Sequence, residues 1–117
     1  MHPSGQPRVV IPGFSPPPDG KSVLVNADGK SVVVFNVRGR LFAIGSKCTH
    51  MGGPLEKGQV GDRRVVCPWH GSEFDLETGK VLKGPAQTPV TAYRATVEPE
   101  GLVLEARPLA SGASGDP

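Results

Sequence analysis

Cysteine, aromatic residues and an excess of charge of one sign are all scarce in this chain. Its 117 residues include 2 cysteines, 5% aromatic residues, and 13 Lys or Arg against 11 Asp or Glu. The basic residues are scattered, which argues against a surface for nucleic acid or an anionic membrane. No apolar run approaches the roughly 18 residues of a membrane span, and the first residues lack the apolar stretch of a signal peptide. We therefore expect a soluble, cytoplasmic protein without nucleic-acid or membrane partners.

Helical patterns are missing as well, because no segment of about ten residues or more has an apolar stripe at helical spacing. Instead, 16 glycines and 13 prolines separate short runs rich in β-branched residues. These features predict an all-β fold of about eight short antiparallel strands, arranged as a sandwich or small barrel. The predicted strands are SVLV (22–25), SVVVFNV (31–37), LFAI (41–44), RRVVCP (63–68), EFDL (73–76), KVL (80–82) and the two arms of a hairpin over 90–106.

The composition also predicts where the folded domain begins and ends. Residues 1–7 and 109–117 are rich in Gly, Ser, Pro and Ala and have little to bury, so we expect flexible termini. Residues 8–108 should form a single domain. All the residues with evident chemistry lie in loops within about 45–88, which is the expected cofactor-binding part.

Two of these loops, KCTHMGGPL and VCPWHGSEF, each contain one cysteine and one histidine. Cys48 and His50 are two positions apart, Cys67 and His70 are three apart, and 16 residues separate the two pairs. Two thiols and two imidazoles make a soft site suited to zinc or an iron–sulfur cluster. Without an export signal, a histidine beside each cysteine favours metal binding over a disulfide.

The arrangement of the four ligands separates the two kinds of metal site. Zinc fingers usually pair cysteine with cysteine and histidine with histidine in a small unit that one ion folds. Here each loop supplies one of each, which suits a cluster with two unlike irons, one bound by thiolates and the other by imidazoles. A zinc-stabilised structural or interaction module is the alternative, and a colourless protein without a redox signal would support it.

The pattern Cys-x-His followed by Cys-x-x-His resembles that of the Rieske 2Fe-2S family, and GPAQTP (84–89) resembles the family's proline loop. The resemblance implies an antiparallel Rieske-type sandwich or small barrel with a cluster-binding subdomain of two ligand loops. It also implies one 2Fe-2S cluster, with Cys48 and Cys67 on one iron and His50 and His70 on the other.

This chain differs from the high-potential Rieske proteins at several positions, and these differences indicate which branch of the family it resembles. Those proteins brace their loops with a disulfide, at positions that Gly53 and Trp69 hold here. Ser72 stands where they place a serine donor to a bridging sulfide, but Phe74 stands where they place a tyrosine donor. The chain most resembles the soluble Rieske ferredoxins of aromatic-ring-hydroxylating oxygenase systems. We expect a potential in the lower or middle part of the range of about −150 to +300 mV.

Three further residues are expected around the cluster, and Trp69 has a second expected role. Gly71 should let backbone amides approach the sulfides. By resemblance, Pro85 covers the cluster. Met51 and Trp69 each neighbour a ligand histidine, so they are predicted to form an apolar rim on which a redox partner docks.

The resemblance implies a one-electron carrier that is not an enzyme in its own right and is expected to be a monomer. Its partners would be a flavoprotein ferredoxin reductase and a terminal oxygenase or similar acceptor. An oxygenase catalytic subunit would need a site of two histidines and one carboxylate, and no histidine follows His70. A Rieske-like small subunit of a larger reductase, such as nitrite reductase, is the second alternative.

Overall fold

The computed structural model describes residues 8–49 and 52–107, which form ten strands and one short 3-10 helix. The strands are β1 (Arg8–Ile11), β2 (Ser22–Ala27), β3 (Lys30–Val37), β4 (Arg40–Gly45), β5 (Gln59–Gly61), β6 (Arg64–Val66), β7 (Glu73–Asp75), β8 (Val81–Lys83), β9 (Ala92–Glu98) and β10 (Gly101–Ala106), and the helix is η1 (Leu55–Lys57). All strand pairs are antiparallel. The predicted all-β class is confirmed.

The larger sheet has six strands in the order β1-β10-β9-β4-β3-β2. Its edge strands β1 and β2 lie close to each other, so the sheet curls toward a small barrel. Inside the curl is an apolar core of its own. The buried members of this barrel core are Ala27, Val32, Val34, Ala43, Leu102 and Leu104.

Two turns that join predicted strands have the same hydrogen-bonding pattern. In the turn between β2 and β3, the Asn26 side chain accepts a hydrogen bond of 2.8 Å from the Gly29 amide. In the turn between β3 and β4, the Asn36 side chain accepts one of 2.8 Å from the Gly39 amide. Both glycines have left-handed backbone, with φ of 87° and 88°. Such turns match the twist of the strands and set the register of the meander.

The smaller sheet, in the order β5-β6-β7-β8, packs against the outer face of β3 and β4. The apolar residues of β3 alternate between two cores, because neighbouring side chains of a strand point to opposite faces. Val32 and Val34 enter the barrel core, whereas Val33 and Phe35 enter a second core between the two sheets. This inter-sheet core also contains Cys48 and Cys67.

The structure adds two strands to those predicted. β1 pairs along β10, with Arg8 opposite Glu105 and Ile11 opposite Leu102. β5 lies in a segment predicted as loop, and it pairs with β6 through Val60 and Val65. Both strands are short and have weak patterns of their own, so their pairing partners determine their conformation.

No helix among residues 8–49 and 52–107 is long and apolar enough to cross a membrane. Residues 1–7 and 109–117, for which flexible termini are predicted, lie outside the described residues, as do His50, Met51 and Pro108.

Candidate metal centre

The first ligand loop, residues 48–53, is closed by two backbone hydrogen bonds that both involve its cysteine. The Cys48 amide donates to the Gly53 carbonyl at 2.8 Å, and the Gly52 amide donates to the Cys48 carbonyl at 2.7 Å. Just beyond the loop, Lys47 and Pro54 form an isolated antiparallel β-bridge. The two ends of this loop are therefore held together, and the loop begins at a predicted ligand.

The second ligand loop, residues 67–72, repeats this frame. The Cys67 amide donates to the Ser72 carbonyl at 2.7 Å, and the Gly71 amide donates to the Cys67 carbonyl at 3.0 Å. Each loop thus has its cysteine at the first position and closes at the sixth. The predicted histidines occupy the third position of one loop and the fourth of the other.

Glycine at the fifth position of each loop has a conformational cause. Gly52 and Gly71 have φ of 76° and 79°, which is left-handed backbone that other residues adopt only with strain. The sequence predicts a different role for Gly71, which is to let backbone amides approach the sulfides. That role stays a prediction, whereas the turn geometry accounts for the glycine itself.

The two thiols are buried and the described histidine is exposed. Cys48 and Cys67 are only 3% and 2% exposed, and neither forms a disulfide. His70 lies at the surface. A group held between these loops would therefore have its sulfur ligands toward the core and the His70 imidazole toward solvent.

The structure describes three of the four predicted ligands, because His50 lies outside the described residues. Within residues 8–49 and 52–107, no three or more Cys, His, Asp or Glu side chains are grouped closely enough to hold a metal ion. The assembly of the complete four-ligand set therefore stays a prediction.

Gly53 shows that the two loops face each other. A Cβ atom at this position would lie 2.7 Å from the Cys67 Sγ atom and 3.2 Å from two ring atoms of Trp69. The absence of a side chain at Gly53 leaves room for the thiol of the opposite loop. Gly53 and Trp69, which the resemblance assigns to the place of the missing disulfide, are thus close neighbours.

A third loop, residues 84–89, is tied to both ligand loops by hydrogen bonds. The Ala86 amide donates to the Ser72 hydroxyl at 2.9 Å, and the Thr49 hydroxyl donates to the Thr88 carbonyl. The sequence identified this loop through Pro85, which is exposed. The bond from Thr49 was missed, and the only sequence signal for it is a hydroxyl residue next to Cys48.

The environment of Ser72 and Phe74 bears on the predicted hydrogen-bond donors. Ser72 is fully buried, and its hydroxyl accepts the bond from Ala86. A hydroxyl that accepts one bond still has a proton to donate, so Ser72 is able to serve a second partner. Phe74 is fully buried in the inter-sheet core and offers no donor.

Comparison with known proteins gives the family. Residues 10–94 match the model described as the Rieske [2Fe-2S] domain. The ferredoxin subunit of the 3-phenylpropionate/cinnamic acid dioxygenase of Shigella boydii is 34% identical over 89 residues, which cover 75% of this chain and 83% of that protein. The iron-sulfur subunit of the cytochrome b6-f complex of Chlorobaculum thiosulfatiphilum is 34% identical over 87 residues, but these span only 47% of its length.

Two solved structures extend the comparison to the fold. The Sphingomonas yanoikuyae B1 ferredoxin superposes with a TM-score of 0.69 and 31% identity, covering 89% of this chain and 100% of that one. A Mycobacterium tuberculosis protein assigned as the small subunit of an NADH-dependent nitrite reductase superposes with a TM-score of 0.68 and 30% identity, covering 88% and 96%.

Proposed function

The chain belongs to the Rieske [2Fe-2S] family, and from that premise we propose that it is a one-electron carrier of the ferredoxin type. The observation that carries the proposal is the pair of matching loops, which face each other and each begin with a buried cysteine. This arrangement fits the family's cofactor. When bound, a 2Fe-2S cluster supplies a one-electron couple. Because the family match is to a cluster-binding domain, the alternative of a zinc-stabilised module, inferred from the ligands alone, is not supported.

Four residues hold the cluster in this proposal. Cys48 and Cys67 supply the thiolates from the buried side, and His50 and His70 supply the imidazoles. The exposed position of His70 supports electron exchange on that side of the site. The protein is an electron-transfer component and not itself the catalyst, as its ferredoxin relatives are named.

The proposed partners are a flavoprotein ferredoxin reductase as donor and a terminal oxygenase or similar protein as acceptor. Support comes from relatives that are ferredoxin components of dioxygenase systems. We propose that the carrier works as a monomer in the cytoplasm, where thiols needed as metal ligands stay reduced.

A second candidate is the small subunit of a larger reductase such as nitrite reductase, favoured by the similarity to the Mycobacterium tuberculosis structure. The two candidates differ in the stability of the partner complex. Purification from the native host at its natural level separates them: a carrier elutes alone, whereas a subunit elutes with a large reductase chain.

Redox titration followed by electron paramagnetic resonance tests the proposed carrier directly. We expect a one-electron signal with the low average g-value of a histidine-ligated 2Fe-2S cluster. The midpoint should fall in the lower or middle part of the range of about −150 to +300 mV. A silent, iron-free protein loaded with zinc would exclude electron transfer.

Replacing Ser72 by alanine is expected to lower the midpoint potential. In this proposal the Ser72 hydroxyl donates to a cluster sulfide, and a donor favours the more negative, reduced form. The expected fall is on the order of 60 mV, which corresponds to about 1.4 kcal/mol for one electron. Square-wave voltammetry of the purified variant measures it.

Two further variants distinguish the effect of the Ser72 hydroxyl on the potential from the effect of its bond to residues 84–89. Thr49→Val removes the other hydrogen bond to residues 84–89 and should leave the midpoint near that of the parent. Ser72→Thr keeps a hydroxyl and should restore most of the loss. An equal fall in Ser72→Ala and Thr49→Val would mean that loop movement, and not the donor, sets the potential.

A further inference from the structure

The end of the molecule that holds the ligands contains no acidic residue in its loops. Residues 46–54, 67–72 and 84–89 include no Asp or Glu. Two exposed lysines belong to this end, Lys47 directly before Cys48 within the first range and Lys83 directly before the third loop. We call these three loops and two lysines the tip.

Two acidic residues neighbour the tip in sequence, Glu56 after the first ligand loop and Glu73 after the second, and Glu73 already has a partner. Glu73 follows the second ligand loop, and it lies opposite Lys83 in the pairing of β7 with β8. Its carboxylate accepts a hydrogen bond of 2.7 Å from the guanidinium of Arg64. Arg64 therefore offsets the charge of Glu73, and the positive charge of Lys83 is left at the tip.

A third lysine, Lys30, adds positive charge on the side of the first ligand loop. Lys30 and Lys47 line one surface cleft together with Thr49 and Pro89. The other residues lining this cleft are Gly29, Ser31, Gly45, Ser46, Val90 and Thr91, so none is acidic. The cleft thus extends the cationic surface from the tip to the turn between β2 and β3.

Several acidic side chains lie away from the tip and are paired with arginine. Glu77, in the turn that follows β7, lies 3.2 Å from Arg40 and 3.3 Å from Arg63. Glu98, at the end of β9, lies 3.4 Å from Arg8. The formal net charge of only +2 therefore understates the positive charge that a partner meets at the tip.

We infer that the redox partner of this chain presents an acidic surface to the tip, with Lys47 and Lys83 as the chief cationic contacts. The inference rests on the proposed carrier function and names the chemistry of its partner. Opposite charge across an interface raises the rate of encounter and sets orientation. Trp69, which is exposed by 54% and belongs to the second ligand loop, is the predicted apolar part of the docking surface.

Small inorganic oxidants of opposite charge test the positive charge of the tip without the need for an identified partner. The reduced protein gives one electron to ferricyanide, an anion, or to tris(phenanthroline)cobalt(III), a cation, and stopped-flow absorbance follows each reaction at low ionic strength. We expect Lys83→Glu and Lys47→Glu each to lower the rate of electron transfer to ferricyanide about threefold to tenfold. Each should raise the rate of electron transfer to the cobalt complex. Salt should reduce both effects.

Lys80 provides a matched control, because it is exposed and lies at the opposite end of the same β7–β8 hairpin. Lys80→Glu makes the same change in net charge and should alter either rate by less than about twofold. Poly-L-glutamate serves as a substitute for an acidic protein surface. It should lower the rate of oxidation by ferricyanide in the parent and in Lys80→Glu, and should lower it much less in the two tip variants.

The outcomes separate the inference from the function on which it rests. Loss of the cluster signal in every protein would overturn the proposed carrier and this inference together. An intact signal with equal rate changes in Lys83→Glu, Lys47→Glu and Lys80→Glu would overturn the inference alone, since only net charge would then matter. A larger change in the tip variants supports it.

Discussion

A Cys67→Ala variant is expected to purify without an iron–sulfur cluster while keeping the six-stranded sheet. The chain has only two cysteines, so no other thiolate can take the place of the one removed. Cys67 is buried between the sheets, and water has little access to replace it. Iron and acid-labile sulfide per chain should fall to background, with the visible absorption lost.

The sheet should survive because the barrel has a core that does not include the ligand loops. Its buried residues all come from β2, β3, β4 and β10. Far-ultraviolet circular dichroism of Cys67→Ala should therefore keep its β-sheet character. The smaller sheet should lose more, since Cys67 contributes to its core and metal binding stabilises the fold of its ligands.

Val65→Ala is the control for lost packing. Val65 is fully buried in the same inter-sheet core, and its truncation removes buried volume at a cost of about 1 to 3 kcal/mol without touching a ligand. It should keep the cluster. If Cys67→Ala retained a full complement of iron and sulfide, Cys67 would not be a ligand and the proposed site would be wrong.

The sequence was informative where the physical cause is local. The turns at Gly29 and Gly39 follow from an asparagine three residues earlier and a glycine able to adopt left-handed backbone. The ligand candidates follow in the same way, because Cys48 and Cys67 each lie within three residues of a histidine.

The features that the sequence did not predict depend on contacts between distant residues. β1 exists because β10, whose paired residues lie 91 to 97 positions later, offers it a hydrogen-bonding edge. The bond from Thr49 to Thr88 joins residues 39 positions apart. Neither residue has a local pattern that reveals its partner, so the folded chain is needed to find how the third loop is held.

Gly79 has both a local role in a turn and a contact with a distant residue. Its substitution has the largest expected effect on stability. Gly79 lies between the predicted strands 73–76 and 80–82, where a turn is expected, and its φ of 78° agrees with a turn. The structure adds a close approach: a Cβ atom at this position would lie 2.0 Å from the Val90 carbonyl oxygen. The Val90 amide also donates to the Gly79 carbonyl at 3.0 Å.

We expect Gly79→Ala to lower the free energy of unfolding by about 3 kcal/mol or more, from left-handed strain and from the displaced backbone of Val90. Gly29→Ala is the matched control, because Gly29 has φ of 87° and nothing within 4 Å of its Cβ position. It should cost only about 1 to 2 kcal/mol. Denaturant titration of both variants measures the difference.

Equal losses in the two variants would mean that the contact with Val90 contributes nothing beyond backbone strain. A larger loss in Gly79→Ala should be accompanied by a change at the cluster. Val90 directly follows residues 84–89, which are bonded to both ligand loops. A displaced Val90 should therefore alter the visible circular dichroism of the Gly79→Ala protein, whereas Gly29→Ala should keep the parent spectrum.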